Sequence, residues 1–213
     1  KSYFEKRFQC KNYSYLSNGI DSEFINFKKD ISKQNTCRNV KVLTYAGNIG
    51  KSQKIELILP QIASKLSKNI IINVYGGGSN KNELIKKTKN LTNINIYDPV
   101  SRPHLLEIYQ KSDYLFLHLD DKAPFRKVLP SKIFEYGAMN KKIVAGVKGY
   151  SREFIETYLT DAIVFEPFAF EEAVQKILQD EGETKLNKSF IRKFERAKLM
   201  EKLTDIITLN ARK

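Results

Sequence analysis

From residue 39 onward, short runs of β-branched and aromatic residues alternate with amphipathic stretches of ten to sixteen residues. The runs are NVKVLTYA (39–46), NIIINVY (69–75), INIY (94–97), DYLFLHL (113–119), KKIVAGV (141–147) and DAIVFEP (161–167). Between them lie KSQKIELILPQIASKL, NKNELIKKTKNL, SRPHLLEIYQKS, PSKIFEYGAMN and SREFIETYL, and FEEAVQKILQDE follows the last run. Near-continuous apolar strands separated by helices predict a parallel sheet covered on both faces. Six such units make a doubly wound, Rossmann-like α/β domain with about six strands. Ser101 before Pro103, Ser131 after Pro130, and Ser151 ahead of Glu153 are suited to open helices. Pro60 interrupts the first helical stretch and predicts a kink there.

Beyond the last strand, Phe190, Phe194, Ala197, Met200, Leu203 and Ile207 fall on one face of a single long helix. Residues 1–38 show no comparable order and read as a connector from something upstream. The expected organisation is therefore a connector over 1–38, an α/β domain over 39–183 and a C-terminal helix over 184–213.

Composition fits a globular chain of one domain: 213 residues, 41% hydrophobic and 29% charged, with 6 Pro and 10 Gly. No apolar run approaches the ~18 residues that a membrane-spanning helix needs. The chain opens on Lys1 without a signal peptide, which suggests a piece of a longer, cytoplasmic protein. Cys10 and Cys37 lie outside any metal-like spacing; free thiols are the simplest reading, and a single bridge the other.

The net charge of +13 raises nucleic acid as a partner, but its distribution argues otherwise. Residues 1–39 hold 8 basic and 4 acidic side chains, residues 185–213 hold 9 and 3, and the central 145 residues hold 20 and 17. The excess thus sits at the two ends, where it suits either a solvated face or a peripheral contact with anionic lipid headgroups.

In an open parallel sheet, ligands bind where strands end and connections change direction. The first strand leads into AGNIGKSQ (46–53), whose Gly47 and Gly50 allow close backbone approach. The second leads into GGGS (76–79), which lacks the third glycine of a dinucleotide fingerprint because Lys81 stands there, and which no Gly-Lys-Ser/Thr closes. The fourth leads into HLDDKAPFRKVLPSKIFEY (118–136), where Arg126, Lys127 and Lys132 gather before a helix start. Three cations there suit a diphosphate. Glu135, one turn further on, suits vicinal hydroxyls such as a ribose presents; a first-turn acid complementing the helix dipole is the plainer alternative.

Taken in order, NGID (18–21), YAGNIGKSQ (45–53), VYGGGS (74–79), APF…LPSKIFEYGAMNKKIVAG (123–146) and VFEP (164–167) resemble the C-terminal donor-binding domain of bacterial family-4 glycosyltransferases of the GT-B fold. The likeness covers roughly residues 16–183 and is greatest to members serving O-antigen and capsule synthesis. It implies a retaining hexosyltransferase using a nucleotide sugar, with a UDP-sugar expected. The acceptor, lipid-linked or a glycan, would be held by an N-terminal domain outside this chain. No metal or other cofactor is implied, and no nucleic acid. In that family a Glu-x7-Glu pattern lies over the donor, and its second Glu matches Glu135, which would hold the ribose. Pro130, Ser131 and Lys132 would face the diphosphate, Gly47, Asn48, Gly50, Gln53 and Gly76 would line the donor, and Val100 in DPVS (98–101) would meet the base. Arg126, Lys127, Lys132 and Glu135 would form the catalytic set.

Two departures stand out. The first Glu of the pattern is Lys127 here, leaving Asp120 or Asp121 as substitutes. The Arg and Lys that commonly grip phosphate after the first glycine are Asn48 and Gln53. Two other readings stay open: a nucleotide-sugar epimerase, for which His118 at a strand end could line a pocket while His104 only starts a helix, and a basic membrane- or RNA-binding module without enzymatic activity.

Overall fold

The computed structural model describes residues 2–8, 13–27, 40–66, 69–181, 184 and 187–211, so Cys10 and Cys37 lie outside the described residues. All six strands form within the expected runs: β1 (Lys41–Ala46), β2 (Ile70–Tyr75), β3 (Ile94–Tyr97), β4 (Tyr114–His118), β5 (Lys142–Gly146) and β6 (Ile163–Phe165). They make one sheet in the order β3-β2-β1-β4-β5-β6 with every pair parallel. The direction of winding reverses between β1 and β4, which opens a crevice at their carboxyl ends.

Alternation along the strands divides the core in two. Leu43, Tyr45, Tyr114, Phe116 and Val144 point to one face, against helices α3 (Ile55–Lys65), α4 (Lys81–Thr88) and α8 (Phe170–Leu178). Leu115, Leu117, Ile143 and Ala145 point to the other. There they meet α5 (Arg102–Lys111), α6 (Lys132–Ala138), α7 (Tyr150–Tyr158) and α9 (Lys188–Phe194). Each fully buried side chain of this size contributes about 1.5–3 kcal/mol. Pro60 lies inside α3 on its buried side. At the sheet end away from the crevice, half-buried Lys142 pairs with Asp180 at 3.0 Å, and the Tyr114 hydroxyl donates to the same carboxylate at 3.0 Å.

The connector is more ordered than its pattern suggests. Short helices α1 (Ser2–Arg7) and α2 (Ser22–Asn26) form, and Ile20 and Phe24 are buried in the core. Ile20 bridges to Glu195, with Ile20 N–H donating to Phe194 O at 2.7 Å and Arg196 N–H to Ile20 O at 2.9 Å. That bridge divides the expected terminal stripe, because Glu195 leaves helical geometry (φ −58°, ψ 121°) to make it. The long helix α10 (Arg196–Ala211) follows as a separate element. Phe190 and Phe194 are buried, whereas Met200 and Ile207 are exposed.

The serine caps also differ from expectation. Ser101 has extended cap geometry but makes no side-chain bond to its helix, and Ser131 is already helical (φ −58°, ψ −31°). Ser151 lies inside α7 and donates instead to Val128 O at 2.5 Å, tying α7 to the loop after β4.

Candidate functional site

Past the ends of β1 and β2 the ladder continues through the two glycine loops. Gly47 N–H donates to Tyr75 O, and Ile49 N–H to Gly77 O, both at 2.8 Å. The fit requires glycine at position 76, because a β-carbon there would overlap the carbonyl oxygen of Gly47. Gly76 also has φ +159°, a value that glycine adopts freely. The interlocked loops form one wall of a cleft of about 550 Å³.

Ala46, Gly47 and Asn48 from the β1 loop line this cleft, with Tyr75, Gly76 and Gly77 from the β2 loop. Pro99 and Val100 close one end, Leu105 and Tyr109 of α5 form the floor, and Ser131, Lys132 and Glu135 rise on the side of α6. A second cleft of about 310 Å³ shares Ser131 and Lys132 and is bounded by Ser52, Gln53, His118, Phe125, Val128 and Pro130. Lys132 stands between the two.

Short as it is, α6 is anchored by buried Ile133, Phe134 and Tyr136, so Lys132 and Glu135 on its other side are held at the cleft. The Lys132 ammonium packs over the Tyr45 ring, 5.3 Å from its centroid, and Tyr45 in turn donates to Asn48 O at 2.5 Å. Among the described residues Lys132 has neither an ion pair nor a hydrogen-bond partner, and the same is true of the Glu135 carboxylate. Burial pushes the Lys132 pKa down, with Glu135 opposing. Burial pushes the Glu135 pKa up, opposed chiefly by Arg102 and then Lys132. Both shifts favour uncharged forms, and an anion beside Lys132 and hydroxyl donors beside Glu135 would favour the charged ones.

The remaining expected residues divide. Gly47, Asn48, Gly76, Val100, Pro130, Ser131, Lys132, Glu135 and Gln53 line one cleft or the other. Gly50 lines neither; it accepts from Gln53 and Lys54 N–H and shapes the turn behind them. Asn48 Nδ2 donates to Gln53 Oε1 at 3.2 Å, a neutral pair. Arg126 and Lys127 form a 3₁₀ turn with Phe125 and line neither cleft. Arg126 Nε is paired at 2.9 Å with Asp121, which also receives Lys148 at 3.3 Å. The three cations therefore do not converge, and Lys132 stands in the cleft without the other two. Asp120 is buried beside Ser52, whose carbonyl accepts its N–H at 2.9 Å.

His118 is fully buried, and both ring nitrogens are engaged: Nδ1 lies 2.7 Å from Gln53 O, and Nε2 accepts from Phe168 N–H at 3.2 Å. Burial pushes its pKa down to about 4. It is a neutral latch between two loops and is not placed as an acid/base. His104 is exposed, 3.4 Å from Glu107.

Arg102 gave no sequence signal as part of the site. Arg102 bridges Asp21 and Glu23 (2.6 Å to the latter) and lies over the Phe24 ring at 5.0 Å. Asp21 also pairs with Arg196. This chain of charges joins the NGID segment, α5 and α10 beside Glu135.

A doubly wound parallel sheet with a cleft over its switch point, flanked by glycine loops and carrying one lysine and one carboxylate on a single helix turn, defines an open α/β domain with a candidate ligand site at the carboxyl ends of its strands. Residues 26–196 match the family described as "Glycosyl transferases group 1", and the chain belongs to that family. No curated protein sequence matches it. Among solved structures, a glycosyltransferase from Rickettsia africae is 20% identical, with a TM-score of 0.68 over 96% of this chain and 60% of its own. Anabaena Alr3699/HepE, solved with UDP and glucose, is 15% identical, with a TM-score of 0.69 over 92% of this chain and 56% of its own. WaaG, a glycosyltransferase involved in lipopolysaccharide biosynthesis, is 18% identical, with a TM-score of 0.64 over 97% and 60%. At these identities the likeness establishes the fold. The chain spans 56–60% of the length of these three proteins.

Proposed function

We propose that the chain is the donor-binding part of a glycosyltransferase and that the 550 Å³ cleft holds a nucleoside diphosphate sugar, with UDP as the carrier. The observation carrying this reading is the pair Lys132 and Glu135, one cation and one carboxylate on one turn of α6, both without an ion-pair or hydrogen-bond partner among the described residues and both in the cleft. Lys132 would face the diphosphate, and Glu135 would accept hydrogen bonds from the ribose hydroxyls. Pro99 and Val100 would border the base, and the second cleft would receive the sugar beyond Lys132. In the reaction the bond from the anomeric carbon to the diphosphate breaks as an acceptor hydroxyl attacks. The fixed charge of Lys132 would stabilise the leaving group. Retention of configuration is the outcome that the family likeness would imply. The anchoring of α6 supports the role of these two residues in orientation as well as charge.

The expected acceptor is a lipid-linked saccharide or glycan of a bacterial surface polysaccharide, held by a second lobe outside this chain. The protein would then work at the inner face of the cytoplasmic membrane. Exposed Lys188, Arg192 and Lys193 on α9 support such a peripheral contact; Arg196 does not, because it is engaged by Asp21. No helix among the described residues is long and apolar enough to cross a membrane.

Calorimetric titration with UDP, uridine and other nucleoside diphosphates tests the reading. UDP is expected to bind more tightly than uridine, and Lys132→Ala to weaken UDP while hardly changing uridine. Equal affinities for UDP and uridine in the unmodified chain would remove the phosphate role.

A further inference from the structure

The cleft of about 310 Å³ that shares Lys132 is walled differently from the larger one. Lys132 is its only charged lining residue; among the described residues no Asp or Glu lines it. Asp120, Asp121, Arg126 and Lys127, on the same loop after β4, line neither cleft. The polar lining is neutral: Ser52, Gln53 and Ser131, besides Tyr45 and His118, whose polar atoms are already engaged. The rest is apolar, and three residues bring carbon surface that the fold leaves uncovered. Phe125 and Pro130 are half-buried, and Val128 is 39% exposed. All three are held in place. Val128 N–H donates to Phe125 O at 3.2 Å, Val128 O accepts from the Ser151 hydroxyl, and Pro130 O accepts from Ile133 N–H at 3.1 Å.

A sugar hydroxyl entering such a cleft gives up water and needs a hydrogen-bond partner in return, which carbon surface does not supply. A methyl group leaves water favourably and buries further apolar area against that surface. We propose that the sugar carried by the nucleotide bears a methyl group, as an acetamido substituent or a 6-deoxy carbon, seated against Phe125, Val128 and Pro130. This rests on the proposed nucleotide-sugar role of the two clefts and names the class of sugar. Lys132 stands between the clefts, so a sugar bonded to a diphosphate held there enters the smaller one. Ser52, Gln53 and Ser131 are neutral partners for the hydroxyls that remain. A fully hydroxylated hexose would instead leave a hydroxyl against carbon.

The test is calorimetric titration of the chain with UDP-glucose, UDP-N-acetylglucosamine and UDP-6-deoxyglucose, with UDP alone as the reference. One of the two methyl-bearing donors is expected to bind about tenfold more tightly than UDP-glucose, and which one does so identifies the substituent. Val128→Thr keeps the shape of the side chain and replaces one methyl by a hydroxyl, so it should narrow that gap to about threefold or less. UDP-glucose binding as tightly as both methyl-bearing donors, or more tightly, would overturn the inference. So would an undiminished gap in a folded Val128→Thr protein, because the methyl would then lie elsewhere. In either case tight binding of UDP itself would leave the nucleotide reading standing. If the unmodified chain binds neither UDP nor any of the three donors, the functional reading fails and this inference with it.

Discussion

The ammonium of Lys132 occupies the place that a β-carbon at Gly47 would need. The first glycine loop and the start of α6, 85 positions apart in sequence, are thus fitted to one another across the cleft. Gly47→Ala should displace the lysine and strain a backbone at φ +149°. The expected result is weaker UDP binding and a loss of stability of about 1 kcal/mol. Gly76→Ala meets a carbonyl oxygen rather than a mobile side chain. It should therefore cost more in urea denaturation than Gly47→Ala does.

Glu135→Gln keeps the shape of the side chain and removes its charge. Hydrogen bonds to a charged acceptor contribute about 1.5–3 kcal/mol, so UDP affinity should drop by roughly one to two powers of ten. If Glu135 only complements the helix dipole, titration calorimetry will show unchanged affinity and a stability loss of about 0.3–1 kcal/mol. Because burial raises the Glu135 pKa, UDP affinity in the unmodified chain should weaken on acidification at a higher pH than an ordinary carboxylate would impose.

His118 makes stability pH-dependent. The unfolded chain takes up this proton near pH 6.5, whereas the buried ring resists it until about 4. Stability is therefore fully present above pH 6.5 and lost as pH falls towards 4, by about 3 kcal/mol. Chemical denaturation across that range should show the slope in the unmodified chain. In His118→Phe it should disappear, on a lower baseline because Gln53 O and Phe168 N–H lose their partner.

Asp180→Ala should destabilise the fold without touching the cleft. It removes the carboxylate from half-buried Lys142 at the far end of the sheet, a loss below the ~3–5 kcal/mol of a fully buried broken pair. UDP affinity in the surviving folded protein should be unchanged. A parallel loss of binding would mean that the two ends of the sheet are coupled.

Neutralising Lys188, Arg192 and Lys193 together should reduce binding to anionic vesicles at low salt. Vesicle sedimentation that does not distinguish anionic from neutral lipid would make the α9 charges a solvated face.

The sequence determined the sheet, its two covered faces and the loops that matter, because strand and helix periodicities are local and each run had to bury its apolar positions. It also put Lys132 and Glu135 on one turn of a helix after a buried strand, since spacing alone fixes that. Only the tertiary structure decided which cations share the cleft. Arg126 stands six residues from Lys132 in the chain, but Asp121, which also holds Lys148, engages it elsewhere, a pairing that depends on how the loop after β4 folds against α7. The same holds for the break at Glu195 and the ordering of NGID. A helical stripe predicts continuation, and nothing local to Ile20 or Glu195 announces that the two will bridge. Tyr109 was legible as a buried helix residue. That it lies in the same cleft as Glu135 depends on how α5 and α6 meet across the sheet's switch point, a contact between distant segments that periodicity does not encode.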